Sequence, residues 1–359
     1  METMEEYKTI RIINEEPEFC AGEKTNAKVD YFILCEEGKA LFGKNIYDVQ
    51  VCGMSLLNWV VRACGAQPKI LNVENGADAL SSIRPYLDFD ADYSVIFYAD
   101  TPLLNKNHIS DLLSFVERKR MYVCVFKRGF VFRNEFVRDN DEFYSVDEYD
   151  FASNDFFVVN NLEDFSFAKE NLEKKVFSFH KRNGVYFENE ASSVVDANTE
   201  IGDLSVVLSC SSIVKGSKIG KNSYISKNAT ISGSTVGANA VIGTGVMILN
   251  SIIKDNVFIG DGVIVTNSVI GNNCSLELGA KIVSSSLKEN VVIKNFAVID
   301  DARIGENSVI QKHAKIMGIT EKTIIGAGSE IGANATISDC CIKPNSDIKE
   351  NETIKGKVR

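Results

Sequence analysis

Two kinds of hydrophobic patterning divide the chain. From about residue 200 an aliphatic residue returns every six positions: Val207, Ile213, Ile219, Ile225 and Ile231. The next step is five, to Val236, and the alternation continues through Ile242, Ile248, Ile253, Ile259, Val265, Ile270, Leu276, Ile282, Leu287, Ile293, Ile299, Ile304, Ile310 and Ile316. Ile219, Val236, Ile253, Ile270, Leu287 and Ile304 therefore lie 17 apart. A short insertion, Met317 to Lys322, breaks the beat, which resumes at Ile325, Ile331, Ile337, Ile342 and Ile348. Gly often follows the aliphatic residue, as at Gly202, Gly220, Gly237, Gly243 and Gly305.

A six-residue beat fits neither a 3.6-residue helix nor a two-residue alternation. It predicts a triangular coil of three short strands, one inward aliphatic residue per side, with Gly or Asn at the strained corners. Stacked coils merge these residues into one apolar column, which no single coil can bury alone. About nine coils are expected from Ile201 to Lys357.

The first half alternates strand-like and helix-like segments. Val29–Leu34, Lys69–Val73, Tyr93–Ala99 and Met121–Phe126 read as strands. Met54–Cys64, Ala77–Leu87 and His108–Lys119 read as helices, with Gly65 a stop signal after the first. Such alternation predicts an open, mostly parallel sheet, with ligands beyond the carboxyl ends of its strands. Asp100 stands at that edge, after the continuously apolar strand, in YADTPLL. An Asp there can hold a cation against phosphate oxygens, or equally well start the turn before Thr101–Pro102. Glu163–Arg182 reads as a long amphipathic linking helix ended by Asn183–Gly184.

Composition narrows the function classes. The 359 residues are 45% hydrophobic and carry a formal charge of −10, which opposes non-specific nucleic-acid binding and docking on anionic lipid. No apolar run approaches the ~20 residues of a membrane span. The segment METMEEYKTIRIINEEPEF has no apolar secretory core, so a cytoplasmic location is expected. Nine cysteines without a CxxC pair are expected to be reduced, mostly buried thiols, and three His offer no zinc spacing.

The six-residue beat resembles the hexapeptide-repeat, left-handed β-helix family, whose members usually form trimers and are often acyltransferases. YADTPLL resembles the strand end of nucleotide-sugar pyrophosphorylases. VVNNLEDFSFAKENL (158–172) and KRNGVYFENEASSVVDANTEIG (181–202) resemble the arm and β-helix entry of one family. That family is the bifunctional N-acetylglucosamine-1-phosphate uridylyltransferase / glucosamine-1-phosphate N-acetyltransferase. The resemblance implies an α/β nucleotidyltransferase-like (Rossmann-like) N-terminal domain and an all-β left-handed parallel β-helix. The expected divisions are an extension at 1–28, a reduced nucleotidyltransferase-like domain at 29–162, a linking helix at 163–182 and the β-helix at 183–359. It further implies Mg²⁺ on Asp100 and Asn160, and Tyr98, Lys44 and Gly76 as substrate-binding residues. UTP or UDP-N-acetylglucosamine would be the ligand, and a homotrimer or an active paralogue the partner.

The departures from that family point away from catalysis. Its phosphate-cradling loop, with an Arg, is replaced by LCEEGKALF (34–42), which carries Glu36 and Glu37. Two unit charges ~4–5 Å apart repel by about 3–4 kcal/mol at an effective dielectric of 20, so acids here oppose a triphosphate unless they turn away. Only 60 residues separate Asp100 from Asn160, about half the family's spacing. In the acetyltransferase half, Asn295 stands for the basic His and Val298 for its Tyr partner, and Asn takes no proton at neutral pH. His313 lies nearby on a coil. The expectation is a sugar-nucleotide pathway protein with impaired or lost catalysis and a binding, regulatory or assembly role. The alternative is an active Mg²⁺-dependent uridylyltransferase, or another nucleotidyl- or acyltransferase.

Overall fold

A computed structural model describes residues 27–88, 90–139, 147–149 and 154–356. Nearly all of the expected extension at 1–28, and parts of the 121–151 segment, lie outside them. The described chain divides into two compact units, with the boundary between Lys175 and Val176.

The first unit is built on β1 (Val29–Glu36), α1 (Leu56–Cys64), β2 (Lys69–Val73), α2 (Ala79–Ile83), β3 (Tyr93–Tyr98), α3 (Lys106–Lys119), β4 (Val123–Phe126), β5 (Gly129–Arg133), α4 (Asn134–Asp139) and β6 (Asp147–Tyr149). The sheet order is β6-β4-β5-β3-β1-β2. β1 runs parallel to both β2 and β3, as the apolar runs predict. The sheet is otherwise mixed: β5 lies antiparallel to both β3 and β4. The expected parallel order fails here because the connection from Phe126 to Gly129 is a tight turn, which permits only a hairpin.

Local signals set the helix ends. The Ser55 hydroxyl accepts from Asn58 N at 3.2 Å, and Gly65 closes α1 at φ 66°. The expected 77–87 helix is shorter, because a 3₁₀ turn at Arg84–Tyr86, containing Pro85, ends it. Alternation along β1 sends Phe32 and Leu34 to one face, where they pack with Leu80, Ile83, Ile96 and Phe132. Leu162–Arg182 forms a helix, α5, and the boundary between the units falls inside it.

The second unit is a left-handed parallel β-helix with three sheets of ten, ten and nine strands. Its first strand, Tyr186–Phe187, comes earlier than the beat suggests, giving about ten coils rather than nine. The first coil escapes the pattern because its inward residues are Phe187 and Val195, separated by a 3₁₀ turn at Glu190–Ser192. Downstream, Ile231, Ile248, Val265, Ile282, Ile299 and Ile316 stack in register, all fully buried.

The corners divide their work differently from expectation. Asn takes more of the left-handed positions than any other residue, for example Asn222, Asn239, Asn256, Asn273, Asn290 and Asn307 at φ between 54° and 59°. Gly after the aliphatic residue answers close approach instead: a Cβ at Gly220 would lie 2.5 Å from Ala238 N of the next coil. At a third corner, buried Ser hydroxyls accept from the next coil's backbone, as Ser251 N to Ser234 Oγ at 3.0 Å and Ser268 N to Ser251 Oγ at 3.1 Å. The middle coils thus repeat one packing and hydrogen-bonding solution.

Candidate functional site

The chemistry-bearing side chains of the first unit converge at the carboxyl ends of β1 and β3, where open sheets of this kind place ligands. Asp100 follows β3 and is fully buried. Its carboxylate Oδ2 accepts from Lys39 Nζ at 2.5 Å and from Arg128 Nη2 at 2.8 Å, and Oδ1 from Arg128 Nε at 3.3 Å. Glu36, the last residue of β1, completes the cluster: its Oε2 lies 2.7 Å from Lys39 Nζ and 2.6 Å from Arg128 Nη2. Two acids thus face two bases, and the group is formally neutral.

Each member is fixed by its neighbours. Arg128 sits in the β4–β5 turn with its guanidinium 3.9 Å from the Tyr98 ring centroid, a cation–π contact. The turn reaches this position because residue 129 is Gly: a Cβ there would lie 2.3 Å from both Ile96 O and the Phe126 ring. Tyr47 ties down the end of β1, its hydroxyl accepting from Glu36 N at 2.8 Å and donating to Glu36 O at 3.1 Å. Asp100 O accepts from Val159 N at 3.0 Å, which draws the 158–160 segment alongside.

Charge and burial act on the cluster in opposite directions. Burial pushes Glu36 up, but hydrogen bonds from Lys39 and Arg128, with their charges, outweigh it and hold the carboxyl below its ordinary value. Burial weakens the Arg128 cation, and Asp100 and then Glu36 more than restore it, so its proton is held still more firmly. Burial, then the Asp100 charge, pushes the Cys35 thiol up to about 11, leaving an inert thiol.

The residues expected to act together are only partly gathered. Tyr98 and Asp100 belong to the cluster. Asn160 is exposed and next to Val159, and its backbone N–H is donated to Asp164 Oδ2 at 3.0 Å. Lys44 is exposed in a small hairpin, paired across it with Leu41, and Gly76 is exposed in a turn at φ 79°. Neither makes a hydrogen bond or ion pair with the cluster. Glu37 is exposed and turns away, whereas Glu36 is neutralised rather than left to repel a phosphate. Lys39 and Arg128 escaped sequence reasoning. Arg128 carried no motif, and only the GF pair after it hints at a hairpin folding back onto β3.

The Mg²⁺ implied for Asp100 and Asn160 does not fit this arrangement. Both Asp100 oxygens already face cations, and Asn160 directs no contact toward them. No mechanism is therefore derived through a metal. Among the described residues no group of three or more His, Cys, Asp or Glu is gathered to hold one.

In the β-helix, Asn295 is exposed and its carbonyl accepts from His313 N at 3.0 Å. His313 is itself exposed, stacked on Phe296 with ring centroids 5.4 Å apart, and no carboxylate pairs with it among the described residues. Of the described thiols, Cys35, Cys64, Cys124, Cys274 and Cys340 are buried and Cys210 is exposed; none is in a disulfide.

A family model described as the GMPPB C-terminal domain matches residues 261–358, a little over a quarter of the chain. No curated protein matches the chain significantly. Among solved structures, Rv0371c from Mycobacterium tuberculosis H37Rv is similar over 40% of this chain and 98% of its own, at 12% identity and a TM-score of 0.32. A complex of Rv0371c with manganese is similar over 40% of this chain and 99% of its own, at 12% identity and a TM-score of 0.32. The CMP:2-keto-3-deoxy-manno-octonic acid synthetase, complexed with CTP, is similar over 42% of this chain and 100% of its own, at 8% identity and a TM-score of 0.33. The UDP-N-acetylglucosamine acyltransferase of Francisella novicida is similar over 41% and 62%, at 19% identity and a TM-score of 0.23. The family model that matches is not that of the bifunctional uridylyltransferase/acetyltransferase, and it covers only the later part of the chain. The chemistry of the site is carried by this chain's own residues. No helix among the described residues is long and apolar enough to cross a membrane.

Proposed function

We propose that the protein is a sugar-nucleotide-binding relative of the nucleotidyltransferases that has lost turnover and serves a regulatory or assembly role. The observation that carries this reading is the Glu36–Lys39–Asp100–Arg128 cluster, which sits where substrate phosphates meet such a sheet and has its acids already paired to bases. The β-helix match supports the pathway assignment, and the loss of a basic His at Asn295 supports the absence of acetyl transfer. UDP-N-acetylglucosamine or UTP is the ligand proposed, in a cytoplasmic setting. Assembly is proposed as a homotrimer or with an active paralogue. An outward apolar strip on one β-helix sheet, Tyr186, Tyr224, Val241 and Phe258, supports such association.

The competing reading is Mg²⁺-dependent uridylyl transfer from UTP to N-acetylglucosamine 1-phosphate, favoured by Asp100 at the strand end. Calorimetric titration of the full chain with UTP and with UDP-N-acetylglucosamine, beside a pyrophosphate-release assay, separates the two. Binding without release is expected. Release that disappears in Asp100→Asn establishes the competing reading, and failure to bind any nucleotide removes both.

A further inference from the structure

We infer that Lys39 and Arg128 form a built-in cation clamp that holds nucleotide phosphates directly, in the place a divalent metal would otherwise take. This rests on the nucleotide-binding reading above and goes beyond it by naming the phosphate-contacting residues and dispensing with the ion.

A fully buried carboxylate requires a compensating charge, because an unpaired one costs several kcal/mol. Asp100 receives that compensation twice over, from an ammonium and from a two-point guanidinium contact. A divalent ion at the same oxygens would have to displace both bases or, with both in place, would set four positive charges against the two acids.

The clamp keeps donors in reserve. An ammonium has three N–H groups and a guanidinium five. Lys39 spends two, on Glu36 and Asp100. Arg128 spends Nε and Nη2 on the acids. The third Lys39 hydrogen and both hydrogens on Arg128 Nη1 donate to nothing in the protein among the described residues. Both side chains keep partial exposure, 19% and 23%, so these donors are within reach of a ligand. Glu36 and Asp100 hold the two bases in place, and the Tyr98 ring fixes the guanidinium plane. Preset forks of this kind suit phosphate oxygens, and charge-assisted bonds are roughly twice as strong as neutral ones. Gly129, by letting the turn close on β3, is what delivers Arg128 from a different element than the glycine-rich loop that this chain lacks.

The test is titration of the full chain with UTP, and separately with inorganic pyrophosphate, once in MgCl₂ and once in excess EDTA. The clamp predicts affinities equal within about threefold in the two conditions. Arg128→Gln and Lys39→Gln should each weaken binding by about tenfold or more in both conditions, with Lys39→Arg retaining most of it. Thermal unfolding of each variant separates lost contact from lost fold, and the metal comparison on the unmutated chain is independent of folding. UTP binding that requires Mg²⁺ overturns the clamp and leaves nucleotide binding standing. So does Mn²⁺ binding, without nucleotide, that is abolished in Asp100→Asn. No binding of UTP, pyrophosphate or UDP-N-acetylglucosamine overturns the nucleotide reading itself.

Discussion

The β-helix and the N-terminal unit solve burial in opposite ways. In the β-helix successive coils repeat an inward aliphatic residue, and most of the middle coils also repeat an Asn corner and a Ser corner, so few residues there are unique. In the N-terminal unit the decisive features occur once: Asp100 fully buried, Arg128 on one turn, Gly129 where only Gly fits. Repetition spreads stability along neighbours, whereas a single polar cluster concentrates it. The comparison teaches where function can lie. A repeating surface offers many equivalent positions, and a buried charge quartet is a costly arrangement unless it holds something in place.

The sharpest break of that comparison is Asp100→Ala. It leaves Lys39 and Arg128 with one acid between them in a mostly buried site. Removing one partner of a buried ion pair typically costs about 3–5 kcal/mol. The expected result is a large fall in the unfolding midpoint of the N-terminal unit alone, read by denaturant titration with Trp59 fluorescence, since the chain's single Trp lies in α1. A loss under about 1 kcal/mol would mean the cluster is solvated and worth little more than a surface pair.

Next in size is Ile248→Ala in the middle of the column. Ile248 is fully buried between Ile231 and Val265. Truncating a buried Ile costs about 2–5 kcal/mol, through lost burial and the cavity left behind. Because coils contact only their neighbours, faster amide exchange should stay within a coil or two of residue 248. Exchange rising evenly along the whole β-helix would show the coils to be coupled as one unit.

Legibility follows the same divide. The β-helix was readable from Val207 onward because one inward residue per side imposes a period no other fold shares. It became unreadable in the first coil, where Phe187 and Val195 break the spacing. In the N-terminal unit, strands β1 and β3 were legible as apolar runs, and Asp100 as a polar residue at a strand's end. The hairpin that brings Arg128 back was not, since KRGF carries no periodicity. Glu36 was read as an obstacle to phosphate because sequence shows a charge but not its partner. Pairing between Asp100 and residues 28 positions later or 61 earlier is a tertiary fact.

A smaller effect separates the two roles of a corner Asn. Asn256 holds φ 59°, accepts from Asn239 Nδ2 at 3.0 Å and donates to Asn273 Oδ1 at 3.2 Å. Asn256→Gly keeps the backbone and loses the rungs, whereas Asn256→Ala also strains the backbone by about 1–2 kcal/mol. Thermal unfolding should therefore rank the native residue first, Gly close behind and Ala last. Equal losses for Gly and Ala would assign the ladder, rather than the backbone, the larger share.

The smallest effect expected is local, at the one place where the β-helix behaves like the other unit. The 317–322 insertion is organised by a single carboxylate: Asp339 Oδ1 accepts from the backbone N–H of Ile319 at 2.7 Å, Thr320 at 2.8 Å and Glu321 at 3.1 Å. Those bonds, with the Thr320 and Glu321 amides foremost, hold its pKa below the ordinary carboxylate value. A depressed folded-state pKa stabilises the loop at pH above the unfolded value of about 3.9, and that contribution is lost as pH falls through the depressed one. Asp339→Asn should therefore raise amide exchange at 319–321 at neutral pH while leaving the global unfolding midpoint nearly unchanged. In the unmutated chain the same three amides should lose protection only well into acid, below pH 3.9. If they open instead with the ordinary carboxylates, at or above that pH, then Asp339 does not hold the insertion and its order comes from the Lys322–Asp301 pair and the Thr323 hydroxyl bond to Met317 O.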